Sequence, residues 1–226
     1  MLGSTVATLH DNSAHGEDNY LIRDLGNNAF LDVVLDGVTG HGGEEASQSV
    51  ADALTAATVG SPADVIQVLE EVNQEFYQVA GGRFLLTTVS IALYLDGRLH
   101  IISAGDSPVF LLGADSFRQL SGRVGGFLHV GVAQAIGAAE SLANLARTEI
   151  SLEPGNRLIL ATDGVTDNIL NEELADIVRT AASPDEAAKQ INTTVATRLE
   201  EGQVPEQLGR RFRHDDRTAI IRFFKS

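Results

Sequence analysis

The sequence contains no cysteine, which excludes disulfides and thiolate metal sites. The same absence favours an intracellular setting, and a cytoplasmic location is expected. No apolar run approaches the roughly 20 residues needed to cross a bilayer. The opening MLGSTVATLHD has no basic residue ahead of its short apolar run, which argues against a secretion signal. Basic residues are scarce, 16 Lys and Arg against 31 Asp and Glu, for a formal net charge of -15. The densest basic cluster, Arg210, Arg211 and Arg213, is followed at once by acids. Such a chain repels nucleic acid and anionic membrane, so neither is expected as a partner. There is also no internal repeat and no low-complexity linker, and residues 1–226 read as one domain.

What is present is an ordinary globular balance, 43% hydrophobic and 21% charged, long enough to bury a sizeable core. Residues 5–9 form a short strand candidate. Residues 20–23 and 29–35 read as two strands joined by Leu25-Gly26-Asn27-Asn28. Residues 44–58 carry Ala46, Val50, Ala53, Leu54 and Ala57 at helical spacing, behind two glutamates that suit a helix N-terminus. Ser61 and Pro62 predict the start of a second helix, which Gly81-Gly82 ends. Residues 85–95 and 99–104 flank Asp96-Gly97, a strong hairpin signal. Residues 109–112 and 117–120 read as further strands, and 122–137 is too glycine-rich to assign. Residues 146–152 and 157–161 predict a strand pair around Glu153-Pro154-Gly155-Asn156. Helices over about 172–182 and 184–200, a loop over 202–209 and a closing strand over 218–224 complete the chain. This order lacks the strict alternation of a parallel doubly wound sheet. It predicts an α+β fold of packed antiparallel sheets with helices outside.

The chemistry-bearing residues are acids at the ends of apolar runs. Asp36 ends Val33-Val34-Leu35, and Gly37, Gly40, Gly42 and Gly43 follow within seven positions. Asp163 ends a second apolar run, and Asp-Gly-Val-Thr occurs at both places. Asp106 follows the strand over 99–104, Asp215 and Asp216 precede the last strand, and Glu17 and Asp18 precede the strand at Tyr20. Acids at strand ends converge at one edge of a sheet. Several carboxylates without cysteine select hard, oxygen-loving cations, magnesium or manganese before zinc. Two such ions sharing a carboxylate activate a water for in-line attack on phosphorus. The glycines after Asp36 lack the spacing of a dinucleotide-binding turn, and Gly105-Asp106-Ser107 lacks the second glycine of a nucleophile elbow. His10, His15, His100 and His129 have no ligand-like spacing and read as structural or exposed. His41 and His214 adjoin the acidic motifs, where a site role and a local turn hydrogen bond are equally open.

Taken in order, Glu17-Asp18-Asn19, Asp36-Gly37-Val38-Thr39-Gly40-His41 through Ser47, Thr87-Thr88, Gly105-Asp106-Ser107, Asp163-Gly164-Val165-Thr166-Asp167 and Asp215-Asp216-Arg217-Thr218 span nearly the whole chain. The chain resembles the metal-dependent protein phosphatases of the 2C type, in their short bacterial form. That resemblance implies a four-layer αββα sandwich of two antiparallel sheets flanked by helices. It implies two manganese or magnesium ions, with Asp36 bridging them, the Gly37 carbonyl helping to hold one, and Asp163 and Asp215 completing the other. Glu17 and Asp18 would bind metal directly or through water, and Asp106 matches the ligand of a third, weaker ion. A metal-bridging water would attack phosphoserine or phosphothreonine proteins, so Asp36, Asp163 and Asp215 would be catalytic through it.

Departures from the family pattern are also legible. The family's phosphate-gripping arginine position is Ser13 here, with Arg23, Arg83 and Arg123 as candidate substitutes. Leu86 stands where glycine is favoured, and Pro108 where arginine is common. The segment between Leu120 and Gly137 is short where relatives carry a flap. The short flap is similar to the stage II sporulation and stress-response phosphatases, whereas Glu17-Asp18-Asn19 stays closer to the 2C type. The expected activity is a metal-dependent serine/threonine phosphoprotein phosphatase. The alternatives are a catalytically weak domain that binds a phosphoprotein or regulatory partner, and a phosphatase of small phosphate esters.

Overall fold

A computed structural model describes residues 2–122, 135–142, 145–202 and 205–226. One sheet contains β1 (Gly3–Asp11), β10 (Arg217–Lys225), β9 (Arg157–Ala161), β6 (Val109–Leu112) and β7 (Phe117–Ser121), in that order. The other contains β2 (Asp18–Gly26), β3 (Ala29–Asp36), β4 (Val89–Leu95), β5 (Arg98–Ala104) and β8 (Ala146–Ser151). Every pairing in both sheets is antiparallel. Helices α1 (Gly43–Ala56) and α2 (Pro62–Ala80) cover the second sheet. Helices α4 (Asn171–Thr180) and α5 (Pro184–Glu201) cover the first, and the one-turn α3 (Asp163–Thr166) follows β9. The expected α+β sandwich of two antiparallel sheets between helices is therefore the observed architecture.

Burial on both faces explains why the central strands read as continuous apolar runs. Along β3, Leu31, Val33 and Leu35 meet Val50, Leu54 and Leu69 of the helices, while Phe30 and Val34 face the other sheet. Along β9, Leu158 and Leu160 enter the layer between the sheets, while Ile159 and Ala161 meet α4 and α5. Leu54 is 0% exposed, and cutting it to alanine would cost about 3 kcal/mol. The inter-sheet layer also holds a charged pair, Asp32 and Arg222. Asp32 accepts from Arg222 Nε and Nη2 at 2.7 Å each, and the Arg222 guanidinium carbon lies 3.9 Å from the centre of the Phe30 ring.

The helix ends follow their sequence signals. Ser61 and Asp64 cap α2 reciprocally, through Asp64 N to Ser61 Oγ and Ser61 N to Asp64 Oδ2 at 2.8 Å. Gly81 ends that helix at φ 58°, a left-handed conformation.

Two expectations are corrected. Residues 146–152 and 157–161 are not a strand pair: β8 pairs with β5, and β9 lies between β10 and β6 in the opposite sheet. The turn between them crosses the sandwich, with Gly155 N donating to Phe224 O and Phe224 N to Asn156 O. Burial separates the two strands. β8 is a partly exposed edge, whereas Leu158–Ala161 is wholly buried. Residues 85–88 also do not extend β4. Leu85 has φ 56°, and the segment bonds instead to the loop after β3. The unassigned residues 123–134 lie outside the described residues.

Candidate metal centre

Four acids from four strand ends line one cavity of about 500 Å³. Asp36 is the last residue of β3, and Asp106 follows β5. Asp163 opens α3 directly after β9, and Asp215 lies two residues before β10. β3 and β5 belong to one sheet and β9 and β10 to the other, so the cavity lies on the seam between the sheets.

The repeated Asp-Gly-Val-Thr adopts two different conformations. From Asp36 the chain loops through 37–42 before entering α1, whereas from Asp163 it turns straight into α3. Each glycine permits a backbone contact that a side chain would block. A Cβ on Gly37 would lie 2.4 Å from the Gly43 carbonyl, and one on Gly164 would lie 1.8 Å from the Asp216 oxygen. The first contact seats the start of α1 on the Asp36 loop; the second clamps α3 against Asp215-Asp216. The other motifs brace this loop. Val38 N donates to Leu86 O, Leu86 N to His41 O, and Thr88 N to Asp36 O at 2.8 Å. The Thr88 hydroxyl meets the Ser107 hydroxyl at 2.9 Å, which ties the loop to the segment carrying Asp106.

Asp18 stands opposite Asp36 in the β2–β3 register, is 5% exposed and accepts from the Thr162 hydroxyl at 2.8 Å. The Glu17 carboxylate accepts from the Thr39 hydroxyl. Neither Glu17 nor Asp18 is among the residues lining the cavity, while Asp36, Gly37, Asp106, Asp163 and Asp215 all are. Removal from water pushes the Asp36 carboxyl well above the usual carboxylate range, and the charges of Asp163, Asp18, Asp215 and Asp106 add to it. Burial also raises Asp18, to about 7, against hydrogen bonds from Thr218 and Thr162. Asp163 is raised by burial too, although Arg213 opposes the shift.

Three residues enter the site to which the sequence reading gave no role there. Arg213 pairs with Asp163, and its Nε lies 2.9 Å from Asp215 Oδ2. His15, read from spacing as structural or exposed, is exposed but reaches Asp215 Oδ1 at 3.1 Å through Nδ1. Asp216 accepts from the backbone N–H groups of Ala14, His15 and Glu17 at 3.0, 2.9 and 2.8 Å, and so pins the β1–β2 connection. Donor atoms of His15, Asp215 and Asp216 all lie within 4.8 Å of one another. The sequence signal for Arg213 was its place two residues before Asp215; His15 and Asp216 meet only through folding.

The candidate phosphate anchors fare differently. Arg23 donates to Leu54 O and Ala57 O at 2.9 and 2.7 Å, which commits it to the end of α1. Arg83 is exposed, and its carbonyl faces His41 Nδ1 at 2.9 Å. Arg123 lies outside the described residues. Ser13 is exposed and does not line the cavity. His41 does line it, and His214 is exposed.

The donor set fits a hard divalent cation. Its four acids offer carboxylate oxygens, and burial, with the charges of neighbouring aspartates added, holds the Asp36 and Asp163 carboxyls above their ordinary range. Two five-stranded antiparallel sheets flanked by helices, with acids gathered at their seam, give the chain the phosphatase 2C-like fold. It belongs to the stage II sporulation protein E (SpoIIE) family, whose model matches residues 29–223. That match begins beyond Glu17-Asp18-Asn19, the motif that had placed the chain nearer the 2C type.

Solved structures share the fold at low identity. PppA, described as a key regulatory component of the type VI secretion system (T6SS) in Pseudomonas aeruginosa, is 22% identical, with TM-score 0.78 over 98% of this chain and 97% of that one. The catalytic domain of the serine/threonine protein phosphatase PstP, solved with two manganese ions, is 21% identical, with TM-score 0.76 over 100% of both chains. The serine/threonine phosphatase Stp1 from Staphylococcus aureus is 19% identical, with TM-score 0.78 over 100% of this chain and 96% of that one. A search of curated proteins finds no match.

Proposed function

We propose that the chain is a manganese- or magnesium-dependent phosphatase of phosphoserine and phosphothreonine proteins, acting as one domain over residues 1–226 in the cytoplasm. The observation that carries this reading is the convergence of Asp36, Asp106, Asp163 and Asp215 on one cavity at the sheet seam. Asp36 would hold two ions, with the Gly37 carbonyl beside it, and Asp163 and Asp215 would face it from the other sheet; Asp106 would serve a third. Glu17 and Asp18 would act from behind the wall, through water or by orienting Thr39 and Thr162. When bound, such ions supply a water that is nucleophilic at neutral pH and positive charge for the phosphoryl oxygens. The protein's own contribution is placement. Thr88 and Ser107 hold the Asp36 and Asp106 segments together, and Gly164 holds Asp163 against Asp215.

The test is hydrolysis of p-nitrophenyl phosphate with manganese and with a chelator. Turnover should require the metal, and Asp36→Asn should abolish it and lower manganese stoichiometry. Wild-type turnover and stoichiometry in Asp36→Asn would remove Asp36 from the bridging role. A second reading, a weakly catalytic domain that binds a phosphoprotein or regulatory partner, is favoured by the absence of arginine at Ser13 and by Arg213 lying on two of the acids. Manganese binding without turnover of any phosphopeptide would select it.

A further inference from the structure

We propose that Arg213 exchanges partners: it neutralises Asp163 and Asp215 in the metal-free protein, and divalent metal displaces it to become the group that holds the substrate phosphate. This rests on the metal reading above. Arg213 is the one Arg or Lys among the described residues that line the cavity. Its guanidinium spans both carboxylates, touching Asp163 with Nη2 and Asp215 with Nε. Those two acids come from different strand ends, so the contact bridges two segments that a shared cation would also bridge.

The contact suits exchange rather than permanence. The Arg213 side chain is 50% exposed, so its ion pairs are screened and individually weak. A doubly charged ion with oxygen ligands on both sides outcompetes one shared guanidinium for the same lone pairs. Once those oxygens are taken, Arg213 keeps its full charge, because a guanidinium does not titrate in the neutral range. It sits two residues from Asp215, on the cavity wall. A phosphate ester is then the oxyanion within its reach, and the planar fork of an arginine matches phosphate oxygens bidentately. Of the candidates among the described residues, Arg23 is committed to the end of α1, and Arg83 is exposed and does not line the cavity.

The experiment is calorimetric titration of wild type, Arg213→Gln and Arg213→Lys, first with manganese alone and then with inorganic phosphate at saturating manganese. Arg213→Gln should bind manganese about fivefold tighter than wild type, since a competitor worth about 1 kcal/mol is gone. It should bind phosphate at least about fivefold weaker, the loss of a charge-assisted bond, and Arg213→Lys should recover part of the phosphate affinity. Because Arg213 is half-exposed, both variants should fold, which circular dichroism checks. Unchanged or weaker manganese binding in Arg213→Gln, with wild type binding normally, would overturn the exchange. Tighter manganese with unchanged phosphate affinity would overturn the anchor. If neither wild type nor variant binds manganese, the metal reading itself fails, a result distinct from either.

Discussion

Asp32 and Asp36 lie four residues apart on the same strand and face opposite electrostatic circumstances. Asp32 is wholly buried between the sheets, and Arg222 meets both of its oxygens, while Ser4 and the Phe30 ring hold the guanidinium in place. Asp36 opens on a cavity whose nearest charges are other aspartates, and the cation there, Arg213, is half-exposed and sits on Asp163 and Asp215 instead. A charge buried with its geometric complement is part of the scaffold. Charges gathered without one repel each other, and on the proposed reading a bound cation is what neutralises them.

The comparison breaks most visibly at Arg222. Arg222→Met should cost about 3–5 kcal/mol by leaving Asp32 uncompensated, and the double change with Asp32→Leu should recover most of it. Urea unfolding at neutral pH measures both, and a single variant no worse than a surface change would deny that the pair is matched.

Next in size is the response to pH. Asp18 holds its proton to about 7 when folded, against 3.8 ordinarily. Its contribution to stability is therefore complete below about pH 4 and lost as pH rises through 7, on the order of a few kcal/mol. Metal-free protein should show this decline in thermal unfolding, and Asp18→Asn or saturating manganese should flatten it.

Asp36→Asn sharpens the contrast from the other side. Removing a repelled charge should raise metal-free stability by about 1–2 kcal/mol at pH 8, measured by denaturant with chelator present, while turnover disappears. Stabilisation by Asp36→Asn and destabilisation by Arg222→Met together separate the two regions; destabilisation by both would merge them. The smallest effect belongs to Thr162→Val, which removes the hydroxyl that supports Asp18. It should cost roughly 0.5–1 kcal/mol and move the Asp18 midpoint further upward in a carboxyl NMR titration.

Much of this was readable before folding because it is local. Strand ends, helix caps and the acid-glycine turns depend on neighbours in sequence, so Asp36, Asp106, Asp163 and Asp215 stood out and meet in one cavity. The destination of β8 was not readable, because a turn does not say whether the next strand continues the sheet or crosses to the other. Asp32 was hidden inside an apolar run, and its partner lies 190 positions away. His15 reaches Asp215 and Asp216 pins the chain before Glu17 across a similar span. Arg213 was seen as part of a basic cluster, but its significance depends on Asp163, which is distant in sequence.

The inter-sheet ion pair has one more consequence. β3 carries Asp32 and then Asp36, and β10 begins just after Asp215 and carries Arg222. Four residues of strand place the seam about 13 Å from the pair. Because Arg222 grips Asp32 through two bonds, one strand slipping along the other by a residue would break it. The pair thus acts as an index pin for two strands that share no backbone hydrogen bond. It registers one sheet against the other so that acids from each arrive at the seam at the same height.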